Sequence, residues 1–385
     1  VKRFLIAAMT MALGVTSASA QSLEDLNIQI HGYATQGFIY TTQNNILTTT
    51  SSSGSPSWTE AVINVGAQPI PKLRIAVQGR YFLLGNYGNA ITLDWAAADY
   101  KANDKFGVRF GKVKTPAGLL NEVQDIDPSY LWALLPQSIY PISSRNSSLS
   151  HLGGVFYGTE KLGRKFGKLE YRGWGGERVL GSDDGYFLPF KEAGLGAPNG
   201  FSWVTYGGAL HWLTPMSGLM VGISDIQNGK ITSAVTAANG ALAGATAVTW
   251  PSKPAYFARY DNGKYMVAGE FTTYAPKGAF LFPGARSPIN IDQLETYGMA
   301  SYKPTSKLTT GVYYSQVFDH GQPLGTTNRY QKDWAISGRY DFNEFIYAKA
   351  EQHFIDGTAL SYDANLNPNL KPNTHMTILK IGVSF

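Results

Sequence analysis

Three carboxylates fall close together in one long connection: Glu122, Asp125 and Asp127, with Arg145 further on. Three basic residues, Arg74, Arg80 and Arg109, lie shortly upstream. Acid opposed to base across water needs no cofactor. It makes a transverse field that orients dipolar solutes and sorts ions by sign. The aromatics Tyr130, Trp132 and Tyr140 of the same connection are candidates to line a solute track. Other chemistry has little support. The stretch "NGKITS" lacks the upstream glycine of a phosphate-cradling loop. No His-Glu-x-x-His pair and no Gly-x-Ser-x-Gly turn occurs. The six His are scattered, so a catalytic triad has no local signature. Cys is absent, which excludes disulfides, thiolate metal sites and cysteine nucleophiles. Asp125-x-Asp127 and Asp183-Asp184 are acidic pairs of a kind more often solvated than metal-bound. No metal, no cofactor and no enzymatic activity is expected.

Charged residues are 15% of the 385 and aromatics 13%, with 23 Tyr and 42 Gly. That is lean in charge for a soluble domain. The formal charge of +5 is scattered, with no basic run for a nucleic-acid partner. Residues 1–20 read as a secretory signal: Lys2 and Arg3, an apolar stretch to about Val15, then Ala18-Ser19-Ala20. Cleavage is expected before Gln21, leaving 21–385 as one domain.

What could position the charges is a set of alternating segments. "KLRIAVQGRYFLL" puts Leu73, Ile75, Val77, Tyr81 and Leu83 on one face and Arg74, Gln78 and Arg80 on the other. "NAITLDWAAADY" puts Ile91, Leu93, Trp95 and Ala97 opposite Thr92, Asp94, Ala96 and Ala98. The last segment, "THMTILKIGVSF", sets Leu379, Ile381, Val383 and Phe385 against Lys380. Helical periodicity is hard to find outside the signal and one segment near Leu131.

Short turns at 69–72, 101–105, 161–165, 214–218, 261–264, 303–307 and 341–344 carry Pro, Gly, Asn or Asp. They alternate with longer polar stretches: 41–57, 84–90, 115–152, 176–202, 227–254, 275–292, 318–331 and 355–374. Seven turns and eight loops join about sixteen strands. The predicted fold is all-β: a transmembrane antiparallel barrel with its short turns at one end and long loops at the other. A secreted sandwich would carry more charge on its wet faces. Here the apolar face is the regular one and the other mixes Arg, Glu, Gln, Thr, Gly and Ser, as a lipid-facing wall around a wet lumen requires. Tyr40, Trp58, Tyr81, Trp212 and Tyr340 are expected in interface girdles.

The signal, the glycine- and tyrosine-rich strands and the terminal Phe385 together resemble Gram-negative outer-membrane porins. "VRFGKVKTPAGL" (Val108 to Leu119) looks like the strand running into the third loop of that family. It is also similar, more weakly, to phosphate- and dicarboxylate-selective porins. The resemblance implies a homotrimer set among outer-membrane lipid and lipopolysaccharide. It implies that Phe385 is read by the barrel-assembly machinery, and that small hydrophilic solutes pass. It further implies that 115–152 folds inward as the constriction; packing outside as a trimer contact, or as a plug, is the alternative. The second loop, 84–90, is shorter than the latch general porins use to hold a neighbour. Inward parity places Lys168, Arg172, Arg259, Arg339, Lys349 and Lys380 in the lumen beside Asp94, Glu170, Glu270, Glu295 and Glu351. Basic residues lead, so a mild anion preference is expected. A substrate-specific pore, or an enzyme built into a barrel wall, are the other readings.

Overall fold

The structure, a computed structural model, describes residues 26–385 apart from 183, 185, 186, 188–190, 198, 238 and 361. The expected signal, residues 1–20, lies outside the described residues. The first strands are β1 (Gln29–Thr41), β2 (Ser55–Ile70), β3 (Leu73–Leu84), β4 (Asn89–Lys101) and β5 (Gly107–Lys114). A long inner segment leads to β6 (Ser150–Gly163), β7 (Gly167–Leu180), the short β8 (Leu195–Gly196) and β9 (Phe201–Leu213). Then come β10 (Leu219–Ala237), β11 (Leu242–Asp261), β12 (Tyr265–Tyr274), β13 (Lys277–Phe282) and β14 (Ala285–Pro288). The chain ends in β15 (Gln293–Tyr302), β16 (Leu308–Asp319), β17 (Tyr330–Asp341), β18 (Ile346–Gly357) and β19 (Asn373–Ser384).

Three of these are loop strands. β8 pairs with the far end of β10, β13 with the far end of β11, and β14 with β13. The other sixteen are staves of one closed antiparallel barrel. β19 returns to β1 in the register Tyr33↔Ser384 to Thr41↔Met376. Closure leaves no edge whose N–H and C=O groups would face lipid unpaired. Both ends of the barrel strand run, β1 and β19, open at the end that carries the short turns.

The period-two faces hold on most staves. On β19 Leu379, Ile381 and Val383 are 51%, 53% and 45% exposed, while Lys380 and Ile378 are 3% and 0%. Phe385 adds one more step. Its N–H and C=O exchange 3.0 Å hydrogen bonds with Gly32 of β1. Its ring lies over the outer face of Gly32, where a Cβ would come within 2.9 Å of the ring. An aromatic covering a glycine on the neighbouring strand closes the seam.

Four differences from the sequence reading have physical causes. The register of β3 against β4 shifts between Gln78 and Gly79, a bulge that turns Asp94 and Trp95 to the same side. Trp95, Ala97 and Asp99 therefore face the lumen, and Ala96 and Ala98 face out. A one-residue insertion inverts everything after it. Second, β10 and β11 run on to Ala237 and Leu242 as a ribbon through what reads as a loop. The alternation there buries Ile231, Val235 and Val248. Third, no helix forms at Leu131. Pro128, Pro136 and Pro141 deny it backbone donors, and only Arg145–Ser148 makes an α-helical turn nearby. Fourth, Trp58 is 2% exposed and is no girdle residue. It lies inside, with Lys380 Nζ 4.6 Å from its ring. Tyr40, Trp212 and Tyr340 do stand exposed on the wall.

The seam makes a testable claim. Deleting Phe385 removes its paired hydrogen bonds and uncovers Gly32. The expected outcome is a lower yield of folded, heat-modifiable barrel in the membrane fraction, with unaltered conductance in the molecules that do fold. Wild-type levels of the truncated protein would contradict it.

Candidate functional site

The residues between β5 and β6, 115–149, do not leave the barrel mouth. They turn in and follow the inner wall. Apolar side chains explain part of this, since they cannot remain in water. Leu131, Trp132, Leu135 and Tyr140 pack on Ala268, Tyr297, Met299, Tyr313 and Ala335 of the far staves. Ala133 and Leu134 join Ile46 and Leu47 of the first loop, with Trp58, Phe82 and Met376. That first loop is itself tied to the last, Asn44 Nδ2 donating to the Lys371 carbonyl at 2.7 Å. Tyr87 of the short second loop packs against the same cluster, tucked in rather than projecting. One side of the lumen is thereby filled.

The rest is electrostatic. At its start, Gly118 N–H donates to Ser224 Oγ at 2.9 Å, and Leu119 N–H to Glu270 Oε1 at 3.3 Å. Gly118 has φ +67°, and a Cβ there would stand 2.4 Å from Glu270 Oε1, so only glycine fits. Tyr140 closes the grip, its hydroxyl donating to Glu270 Oε2 at 2.6 Å. Asp125 receives Lys114 Nζ at 2.7 Å, Gln78 Nε2 at 2.8 Å and Trp95 Nε1 at 3.1 Å. Asp127 is held between Lys349 at 3.0 Å and Lys380 at 2.5 Å, with Tyr347 donating at 2.8 Å. Glu351 accepts the N–H groups of Ala133 and Leu134, both at 3.0 Å. His353 bridges Glu351 and Asp333, each at 2.9 Å. At the return, Arg145 makes a two-pronged bond to Asp94 at 2.9 and 2.8 Å.

The expected opposition of three acids to three bases forms in part. Arg109 meets Glu122 at 3.2 Å and Asp99 at 2.9 Å. Arg172 approaches the same Glu122 at 3.6 Å and Glu170 at 3.2 Å. This half-exposed ladder follows the lumen wall. Arg74 lines a cavity of about 530 Å³ with Arg109, Glu122 and Asp125 at the turn end. Arg80 is elsewhere. It is 3% exposed, paired with Glu60 at 2.6 Å and stacked on Phe82. Asp127 is buried too and faces lysines, not the three arginines. Of the track aromatics, Trp132 and Tyr140 are 2% and 7% exposed and serve as wall anchors. Tyr130 lines a turn-end cavity of about 520 Å³, with Lys349 Nζ 4.5 Å from its ring. Strand parity had put Arg172, Lys349 and Lys380 inside, but parity cannot say which loop residue a wall lysine reaches. Lys114 had no signal at all.

On the loop side of the inner segment a cavity of about 300 Å³ lies between it and staves β9 to β12. Further out, Glu192 faces Asp363 of the last long loop. Burial first, and then the neighbouring Asp363, push the Glu192 carboxyl up to about 7. Among the described residues its Oε1 is enclosed without a donor, and a carboxyl that keeps its proton there escapes repulsion from Asp363. Among the described residues no group of three or more His, Asp or Glu is arranged to hold a metal.

No protein-family model and no curated protein matches the chain. Solved structures do. An anion-selective porin from Comamonas acidovorans superposes with a TM-score of 0.57 at 10% identity, over 93% of this chain and 99% of that one. The outer membrane channel DcaP of Acinetobacter baumannii gives 0.56 at 10% identity, over 96% and 100%. OmpF of Salmonella typhi, solved in complex with daunomycin, gives 0.54 at 13% identity, over 95% and 99%. At these identities the likeness is one of fold.

Two outcomes follow from the contacts. Asp127→Ala leaves Lys349 and Lys380 buried without a counter-charge, and should destabilise the barrel by about 3–5 kcal/mol. The midpoint of urea unfolding reads this, and an unchanged midpoint would refute the grip. For Glu192 the folded pKa is raised, so its contribution is fully present below the unfolded value near ~4.3 and is lost as pH rises through about 7. Hydrogen-exchange protection around residues 191–196 and 363–367, corrected for the intrinsic base-catalysed rate, should fall across that window, and Glu192→Gln should remove that fall.

Proposed function

We propose that this chain, whose barrel has the fold of Gram-negative outer-membrane porins, sits in the outer membrane of such a bacterium as a passive channel. Small hydrophilic solutes diffuse through it down their own gradients. The observation that carries this is the inner segment. It is pinned to the wall all round by ionic and backbone grips, yet lies beside a polar, half-exposed ladder of Asp99, Arg109, Glu122, Arg172 and Glu170. A sixteen-stave barrel encloses more room than its own side chains fill, and a segment fixed in that room sets the passage.

A mild anion preference belongs to the proposal. Among the described residues Arg74 and Arg178, on opposite sides of the inner segment, have no carboxylate within ion-pair distance, whereas most other inward cations do. The anion-selective porin named above shares the fold. A homotrimer is proposed as well. In the otherwise apolar outer band, Thr59 donates to Gln36 at 2.6 Å and Thr377 to Gln352 at 2.7 Å. A second copy would cover that polar patch better than lipid. Outer-membrane lipid and lipopolysaccharide would meet the rest of the band, and the assembly machinery would read Phe385.

Planar-bilayer recording tests the reading. Purified protein should give discrete openings, with a modest reversal potential of anionic sign in a KCl gradient. Clear cation selectivity would overturn the preference, and absence of conductance would overturn the channel. Electrophoresis without heating should show the trimer; a monomer alone in mild detergent would count against it.

A further inference from the structure

The cavity on the loop side of the inner segment has an aromatic wall. Trp203 and Trp250 stand with ring centroids 5.4 Å apart. Their N–H groups are engaged, Trp203 Nε1 with Asn228 Oδ1 and Trp250 Nε1 with the Tyr274 hydroxyl, each at 3.0 Å. What they offer a solute is ring surface. Lys253 stands 4.9 Å from the Tyr274 ring, and its charge is met by Glu295 at 2.9 Å.

Arg178 of the same lining differs. It is 7% exposed. Its Nη1 donates to the Ser147 carbonyl and its Nη2 to Thr115 Oγ1 at 3.3 Å, while Nε is buried with no acceptor. No carboxylate lies within ion-pair distance among the described residues. A buried cation is costly unless paired, so a full charge at the edge of a cavity calls for an anion. The nearby hydroxyls of Ser144, Ser147 and Ser148 already donate to backbone carbonyls. A neutral polyol would find few free donors there, and a bare inorganic anion would leave the rings unused.

We propose that this cavity is a subsite for a small aromatic carboxylate, its carboxylate held at Arg178 and its ring against Trp203 and Trp250. The inference rests on the reading of the lumen as a solute passage and names the class of solute the passage would favour. A charge-assisted hydrogen bond fixes one end, ring packing holds the other, and a volume of about 300 Å³ suits a small molecule.

The test uses the full chain in planar bilayers with benzoate, acetate and benzamide as probes. Benzoate should reduce the KCl current saturably; acetate, without a ring, and benzamide, without a charge, should not. Arg178→Gln should raise the half-blocking benzoate concentration about tenfold or more, with part of the block restored by Arg178→Lys. Trp250→Ala should weaken the block similarly, each variant measured against its own open current. Quenching of tryptophan fluorescence by benzoate in detergent reads binding without conductance. Protein that binds benzoate and does not conduct overturns the channel and keeps the subsite. A conducting protein on which benzoate acts no differently from acetate overturns the subsite. If Arg178→Gln does not fold, an unaltered benzoate block in Trp250→Ala overturns it equally.

Discussion

The buried contact of Asp127 with Lys349 and Lys380 fixes the interior of this barrel. Two ammonium groups on adjacent staves face one carboxylate from the inner segment. Neither side tolerates burial alone, because removing a charge from water costs several kcal/mol that only a close counter-charge returns. The register Lys349↔Lys380 sets both lysines side by side on the wall. The segment must therefore come to that wall and cannot drift. From that point it is carried by Arg339 onto the Pro128 carbonyl at 2.6 Å and by Glu351 onto the next N–H groups.

An inner segment gripped at many points of the wall still leaves room beside β9 to β12. The first loop, the last loop and the second half of the inner segment fill the lumen beside β1 to β3, β12 and β15 to β19. The cavity bounded by β9 to β12 stays open. An off-centre cavity is the consequence of where the apolar side chains went. Leu131, Trp132, Leu134 and Leu135 fill with hydrocarbon what would otherwise be water, and the polar residues Asn121 and Ser147 are left lining the open side.

The fold was legible in the sequence to a high degree, and the site only in part. Alternation along β3, β9 and β19, with the strict exchange of short and long connections, determined stave number and the inward placing of Lys349 and Lys380. The bulge at Gln78 to Gly79 escaped, because a bulge changes parity without changing composition. Arg80 read like Arg109 in sequence. Only the partner differs, Glu60 on the neighbouring stave for one and the half-exposed Glu122 for the other. Trp132 and Tyr140 carry ring surface that suits a solute and suits a wall equally well, and nothing local distinguishes the two uses.

The sequence by itself determined the barrel: a period of two over about sixteen segments states which side of most strands faces out, since backbone pairing in a membrane admits no other closed solution. It also determined that the segment at 115–152 must be packed, because Leu119, Leu120, Leu131, Trp132, Leu134, Leu135 and Ile139 need burial. Tertiary structure decided where that segment lies and which charges it leaves unmatched. Those outcomes depend on distances between staves far apart in the chain, such as Asp94 to Arg145 or Lys380 to Asp127. A charge's meaning depends on whether its partner arrives within about 4 Å. Arg178 falls in the stretch 176–202 that reads as a loop; the structure puts it on β7, and it acquires its interest only there, where among the described residues no acid arrives.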